Sequence, residues 1–370
     1  MRLEDIARMP AQTHMPHEIQ RLQREAPRYV RAIIEKTKTF PKVKSIDELE
    51  PGSIELLEGG VASALYSVRN LDELVVIKLR KDGIEAERES LEAWAKEGVR
   101  IPTIRHQGVV PKSLEKAKIK YLLLDFIVNK KGERASTGVA FLRKNPNRAR
   151  QMGQVLGRTL ARMHRAKSKR SFGEFADTVG KSKTPIRTWN KYLLGYVRLH
   201  HTYLQRLGIS RRLLRQLMRS IEKIRFSSRG IYVHGDYSLR NVMVESSKPL
   251  KIVVFDPNPL IGDPSWDIAI LFNNRDYRRK RYEWDPTVPH YREAYRIEER
   301  FFDGFWKSYR LATRKNISLD KIRIAQLIQT IIHLQAEEHK TYQSKAMNEL
   351  EVRVRREVLF ERFGSLDLDH

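Results

Sequence analysis

The chain has 370 residues, 41% apolar and 31% charged, with 71 Lys and Arg against 45 Asp and Glu for a net charge of +26. That length allows two lobes, since single cores stop growing near roughly 250–300 residues, and the absence of cysteine excludes disulfides, zinc–thiolate sites and cysteine nucleophiles. No apolar run is long enough to cross a bilayer, and the opening MRLEDIARMP lacks a signal-peptide core, so a cytoplasmic protein without membrane contact is expected.

Residues 1–47 read as a basic helical extension, in which HEIQRLQREAPRYVRAIIEKTKT (17–39) is amphipathic and Pro27 is placed to end one helix and begin another. Residues 48–128 change character. IELLEGGVASALYSVRN and ELVVIKLR predict strand, Gly-containing turn, strand, short turn and strand. GIEAERESLEAWAKEG predicts a helix with Ile84, Leu91, Trp94 and Ala95 on one side and Gly98 past its end, and YLLLDFIV predicts another strand. Over 129–370 the helical period dominates, with Met152, Val155, Leu156, Leu160 and Met163 forming one stripe and residues 189–226 and 293–345 repeating the style. Between these stretches the period switches to two at 231–233, 241–244 and 252–255, and SSKP turns the last two runs into a hairpin. The expected plan is α+β and two-lobed: a small β-rich lobe over 48–128 and a larger, mostly helical lobe over 129–370.

The stretch IYVHGDYSLRNVMVESSKPLKIVVFD (231–256) drops Asp and Asn at strand ends, where they are poor core material and good ligands for a hard cation. Phosphoryl transfer from ATP needs a divalent metal, a cation, backbone donors and a carboxylate that orients the acceptor hydroxyl. Magnesium favours oxygen ligands and takes only one or two carboxylates from a protein. Asn241 and Asp256 end the two strands of one predicted hairpin and form the expected metal pair; Asp236, five residues before Asn241 on a tight loop, is the expected catalytic base. The competing structural reading makes all three turn-forming side chains.

HGDYSLRN followed by VVFDPNPLIGDPSWDIA resembles the aminoglycoside phosphotransferase/choline kinase family, which shares the protein-kinase-like fold. The order of motifs carrying the resemblance spans residues 54–267. It implies ATP and Mg2+ as cofactors, Lys78 of ELVVIKLR as the phosphate-gripping lysine, and Glu89 on the next helix as its ion-pair partner, with Glu85 as the fallback. Gly59, Gly60 and Ser63 of EGGVAS then form the flap over the nucleotide, where glycine lets backbone approach phosphate. Asp125 and Phe126 of LLLDFI lie in the linker whose backbone reads adenine. The resemblance also implies that His234 packs behind the catalytic loop and that Asp263 and Asp267 brace it. Alone, Lys78 reads as a strand-edge lysine facing water and Gly59–Gly60 as a hairpin turn.

Departures from protein kinases point to a small substrate. There is no G-x-G-x-x-G, Ser238 stands two residues after Asp236 where protein kinases carry Lys, Asp256 is followed by Pro-Asn, and no A-P-E follows. Arg240 adds positive charge beside the phosphates or the acceptor, or points to solvent. The expected function is transfer of the γ-phosphate of ATP to a hydroxyl of a small molecule. Two other readings stand: a kinase-like enzyme acting on protein or RNA through its basic surface, and a non-catalytic kinase-fold binding protein, against which the intact Lys78, Asp236, Asn241 and Asp256 argue. The basic clusters fall on the polar faces of amphipathic helices, the ordinary reading of such charge. Asp276, Glu293, Glu298, Glu299, Asp303, Glu337 and Glu338 offer carboxylates to a cationic acceptor, whereas the net charge suits a phosphorylated, carboxylated or nucleotide-like one. Trp266, Trp306 and Tyr309 line the acceptor pocket or pack the core.

Overall fold

The computed structural model describes residues 17–39, 53–57, 63–70, 73–111, 114, 118–173, 186–284, 291–314, 317–338 and 345–364. Helix α1 (His17–Thr37) precedes five strands, β1 (Ile54–Leu57), β2 (Ala64–Asn70), β3 (Glu73–Arg80), β4 (Ile104–Val109) and β5 (Lys120–Asp125). They pair antiparallel in the order β1-β2-β3-β5-β4, and helix α2 (Ile84–Lys96) connects β3 to β4. Strand alternation decides which way each residue faces. On one face Val75, Ile77, Leu79, Tyr121 and Leu123 join Tyr29, Val30 and Ile33 of α1 in a single apolar cluster. Leu122 and Leu124 turn to the other face and pack on Ile84 of α2 with Val76 beside them. Lys78, one residue on from Ile77, therefore belongs to the α2 face.

Helix α1 runs unbroken through Pro27, contrary to the expected interruption. An interior proline costs a helix about 3 kcal/mol, while burying a large apolar side chain contributes about 1.5–3 kcal/mol. Tyr29, Val30, Ile33 and Ile34 are all buried on the sheet, so burial wins. The hydrogen bond that Pro27 cannot make is replaced from outside: the Tyr66 hydroxyl of β2 donates to the Gln23 carbonyl at 2.7 Å.

The larger lobe is built from α3 (Gly138–Lys144), α4 (Ala149–Met163), α5 (Trp189–Leu199), α6 (His201–Arg206), α7 (Arg211–Lys223), α8 (Ser265–Trp284), α9 (Tyr291–Thr313), α10 (Leu319–Glu338) and α11 (Lys345–Gly364). Short strands β6 (Ser136–Thr137), β8 (Val242–Ser247) and β9 (Leu250–Val254) form one sheet, and β7 (Ile231–Val233) pairs with β10 (Leu260–Gly262). Helices α4 and α9 approach backbone to backbone. A Cβ on Gly153 would fall 2.0 Å from the Phe301 carbonyl oxygen, and one on Gly304 would fall 2.3 Å from that of Arg150. This is the expected α+β, two-lobed, kinase-like plan. Among the described residues no helix is long and apolar enough to cross a membrane.

Candidate active site

The loop from β7 to β8 is fixed from three sides. Gly235 has φ 75°, and a Cβ there would meet the Asn258 carbonyl oxygen at 1.9 Å, so the tight turn needs glycine. The buried Asp267 carboxylate, in the first turn of α8, accepts the backbone N–H groups of His234 and Gly235, each at 2.9 Å. Tyr237 sends its hydroxyl into α4, donating to the Leu156 carbonyl at 3.0 Å. His234 is fully buried and stacks on Trp94 of α2 with the rings 5.6 Å apart. Its Nδ1 accepts the Asp236 N–H at 3.3 Å, which leaves Nε2 carrying the proton it donates to the Phe255 carbonyl at 3.2 Å. That pattern needs a neutral ring, and burial holds the His234 pKa below its ordinary value.

Asp267 thus lies against the loop. Asp263 does not: its carboxylate accepts from Ser265 N–H and Oγ and, at 3.4 Å, from Ser227 N–H, so it caps the start of α8. Two further supports went unnoticed in the sequence, Tyr237 and His164. Nε2 of His164 lies 3.1 Å from Asp267 and its Nδ1 lies 2.8 Å from the Tyr309 hydroxyl.

The β8–β9 hairpin pairs Val242 with Val254, and Phe255 N–H donates to the Asn241 carbonyl at 3.1 Å. Asn241 and Asp256 therefore leave the hairpin at the same end. The Asn241 amide nitrogen donates to both the carbonyl and the carboxylate of Asp236, each at 2.8 Å. Its carboxamide oxygen is thereby turned away, with no partner among the described residues. Solvent reaches the Asp236 side chain, yet the protein packed around it desolvates the carboxyl and pushes its pKa up to about 6, against the opposing pull of the Asn241 hydrogen bond. Asp256 sits at φ 52°, a left-handed conformation uncommon outside glycine. Burial would raise its carboxyl, but the Lys78 ammonium more than reverses this and holds it below the usual range.

Lys78 Nζ lies 2.6 Å from Glu87 Oε2 and 2.6 Å from Asp256 Oδ1. Burial disfavours the ammonium, but Glu87 first and Asp256 second outweigh it, so the Lys78 pKa is raised and the side chain stays charged. Neither glutamate expected from the sequence makes this contact. Glu85 pairs with Lys120 at 2.8 Å. Glu89 takes Arg170 in a two-nitrogen fork at 2.8 and 2.7 Å and accepts the Tyr232 hydroxyl at 2.6 Å. Helical phase is the reason: Ile84, Glu87, Leu91 and Trp94 form the buried stripe of α2, and Glu89 lies about 200° round the helix from Glu87.

Lys78, Glu87 and Asp256 line a cleft walled chiefly by apolar side chains such as Leu57, Val76, Leu124 and Met243. Asp125, Phe126 and Ile127 line the same cleft. The Asp125 carboxylate is held by Arg105, and Phe126 N–H is spent on the Leu74 carbonyl at 3.2 Å. Ile127 N–H has no acceptor among the described residues. Ser63 is buried at the start of β2; Gly59 and Gly60 lie outside the described residues. Among the described residues no group of three His, Cys, Asp or Glu converges as a metal cluster. What the site offers a hard cation is one carboxylate and one carboxamide, a set that suits magnesium.

Of the acidic residues expected for an acceptor, Asp276 is held by Arg275 and Arg362, Glu298 by Arg278 and Asp303 by Arg150. The side chains of Glu337 and Glu338 lie outside the described residues. Trp266 and Tyr309 are buried, and Trp306 packs on the same core.

A small sheet lobe and a helical lobe, with a braced Asp loop and a buried lysine between them, define a kinase-like phosphotransferase. The sequence model of the phosphotransferase enzyme family, APH, matches residues 53–305, and the chain belongs to that family. Solved structures agree on the fold. An apo thermostable mutant of aminoglycoside phosphotransferase APH(4)-Ia aligns with TM-score 0.57 and 16% identity, over 90% of this chain and 98% of that one. A candidate aminoglycoside phosphotransferase from Ralstonia eutropha gives TM-score 0.59 and 15% identity, over 91% and 98% of the two chains. A candidate fructosamine-3-kinase from Haemophilus somnus gives 0.53 and 14%, over 89% and 96%. APH(4)-Ia has also been crystallised with ADP and hygromycin B and with AMP-PNP and hygromycin B. A search of curated protein sequences returns no significant match.

Proposed function

We propose that the protein transfers the γ-phosphate of ATP to a hydroxyl of a small molecule. The observation that carries this reading is the set of contacts Glu87–Lys78–Asp256 in the wall of a largely apolar cleft, with the Asn241–Asp236 pair joined to it through the Phe255 N–H bond to the Asn241 carbonyl. The nucleotide complexes of a protein with this fold support the choice of donor. Adenine suits the apolar part of the cleft, with Ile127 N–H as the linker donor left to read its edge. Lys78, held by Glu87, grips phosphate oxygens. Asn241, through its carboxamide oxygen, and Asp256 would hold Mg2+, which neutralises charge building on the transferred group. Asp236 orients the acceptor hydroxyl and takes its proton as the new O–P bond forms and the bond to the leaving ADP breaks.

Because Asp276, Glu298 and Asp303 already face arginines, a neutral or anionic hydroxyl compound fits this lobe better than a polycation. The test is a screen of hydroxylated small molecules with Mg–ATP, read by the mass of one added phosphoryl group. Asp236→Asn is expected to abolish transfer while nucleotide binding persists; full turnover in that variant defeats the assignment.

A further inference from the structure

A second concavity lies away from the cleft, between the segment that follows α2, one face of α4 and the strand β9. Four cations line it, Arg100, Arg158, Arg162 and Lys251, together with the hydroxyl of Thr159 and the apolar side of Val155, and among the described residues no carboxylate does. Arg100 is paired with Glu245, outside the lining, and among the described residues Arg162 reaches only the Gly98 carbonyl, at 3.4 Å. Arg158 and Lys251 have no acidic partner among the described residues. Arg158 and Arg162 stand one helical turn apart, where like charges repel, and Lys251 adds a third positive charge from a separate strand. Three weakly compensated cations around a concavity focus positive potential there. The arginine forks match the oxygens of a phosphate, and the Thr159 hydroxyl supplies another donor.

We propose that this cavity is a binding site for a small phosphate-bearing anion, separate from the catalytic cleft. The strand carries the chain about 10 Å from Lys251 to Val254, two residues short of Asp256. The same region already joins the lobes: Val254 N–H of β9 donates to the Arg100 carbonyl at 2.9 Å. An anion held there grips the segment that follows the helix carrying Glu87 and the strand that leads to Asp256. The site is therefore placed to stiffen the junction on which both depend.

The absence of cysteine makes a site-specific test available. Thr159→Cys places a single thiol in the cavity, and its alkylation by the uncharged reagent iodoacetamide is followed with increasing pyrophosphate. Saturable slowing of at least fivefold is expected, reduced to less than twofold when Arg158→Gln and Lys251→Gln are added. Both replaced cations are exposed, so the fold survives their loss. Arg219→Cys on the basic face of α7 serves as a control and is expected to show no protection. The proposal is overturned if pyrophosphate does not protect the cavity thiol, if protection survives both charge removals, or if the α7 thiol is protected equally.

Discussion

Lys78 and Glu87 form an ion pair 2.6 Å long in which the side chains are 2% and 1% exposed. Burying two charges costs several kcal/mol each, and removing one partner of such a pair typically destabilises by about 3–5 kcal/mol. Asp256 still faces Lys78 when Glu87 is gone, so Glu87→Gln is expected near the low end, about 3 kcal/mol in urea unfolding. Glu89→Gln alters a pair whose members are 44% and 32% exposed, worth less than about 1 kcal/mol. The reverse ranking of these two variants would return Glu89 to the role expected from the sequence.

That Lys78 was legible and Glu87 was not follows from what each signal measures. Lys78 interrupts the apolar strand ELVVIKLR, and its order relative to the HGD loop singles it out. The helix after it carries four glutamates within eight residues, at 85, 87, 89 and 92, and the order of the motifs does not rank them. The stripe Ile84, Leu91, Trp94 was visible, and Glu87 falls on it; a carboxylate on a buried helical face demands a cation, which would have chosen it. The hairpin ends, Asn241 and Asp256, were legible because strand period and turn chemistry fix which ends meet. Asp263 was misplaced because capping of α8 and bracing of the loop ask for the same residue type a few positions apart. The grip of Tyr237 and His164 depends on long-range packing that no local pattern reports.

Glu89 has a different job, holding α2 against the larger lobe through Arg170 and Tyr232. Trp94 reinforces it, donating to the Tyr232 carbonyl at 3.2 Å. Arg170→Gln is expected to speed amide hydrogen exchange over 84–96 and to weaken nucleotide affinity by about fivefold, the equivalent of roughly 1 kcal/mol. Unchanged exchange across that helix counts against a latch.

The Asp236 carboxyl, pushed up to about 6 by desolvation, sets the acid limb of activity. Turnover is expected to fall as pH drops through about 6, where the base becomes protonated, with a bound cation nearby moving the midpoint lower. The sign for stability runs the same way as for any raised carboxyl. The folded state holds this proton more tightly than the unfolded chain, so its contribution is present at low pH and lost as pH rises through about 6. Carboxyl NMR of the nucleotide-free protein checks the midpoint; titration in the ordinary carboxylate range rules it out.

Where α4 meets α9, helix propensity and packing oppose each other. Gly153→Ala gains about 1 kcal/mol of propensity, but its Cβ would lie 2.0 Å from the Phe301 carbonyl oxygen, and overpacking costs about 1–3 kcal/mol. Backbone is the obstacle and cannot rotate aside, so a net loss near 1–2 kcal/mol is expected in chemical denaturation. A variant more stable than the parent would mean that the helices separate at little cost.

Pro27 and Tyr66 supply a test of the α1 account that does not depend on absolute stabilities. Tyr66→Phe leaves the half-buried Gln23 carbonyl without its donor, a loss toward the low end of the about 1–3 kcal/mol that an orphaned buried polar group costs. In a Pro27→Ala background the new backbone N–H at position 27 reaches that carbonyl by the ordinary helical bond, so removal of the hydroxyl should cost less. The double-mutant cycle is expected to give a coupling of about 1 kcal/mol, read from urea unfolding of the four proteins. Strict additivity would show that the Tyr66 hydroxyl does not stand in for the missing proline donor, and that apolar burial alone carries α1 across Pro27.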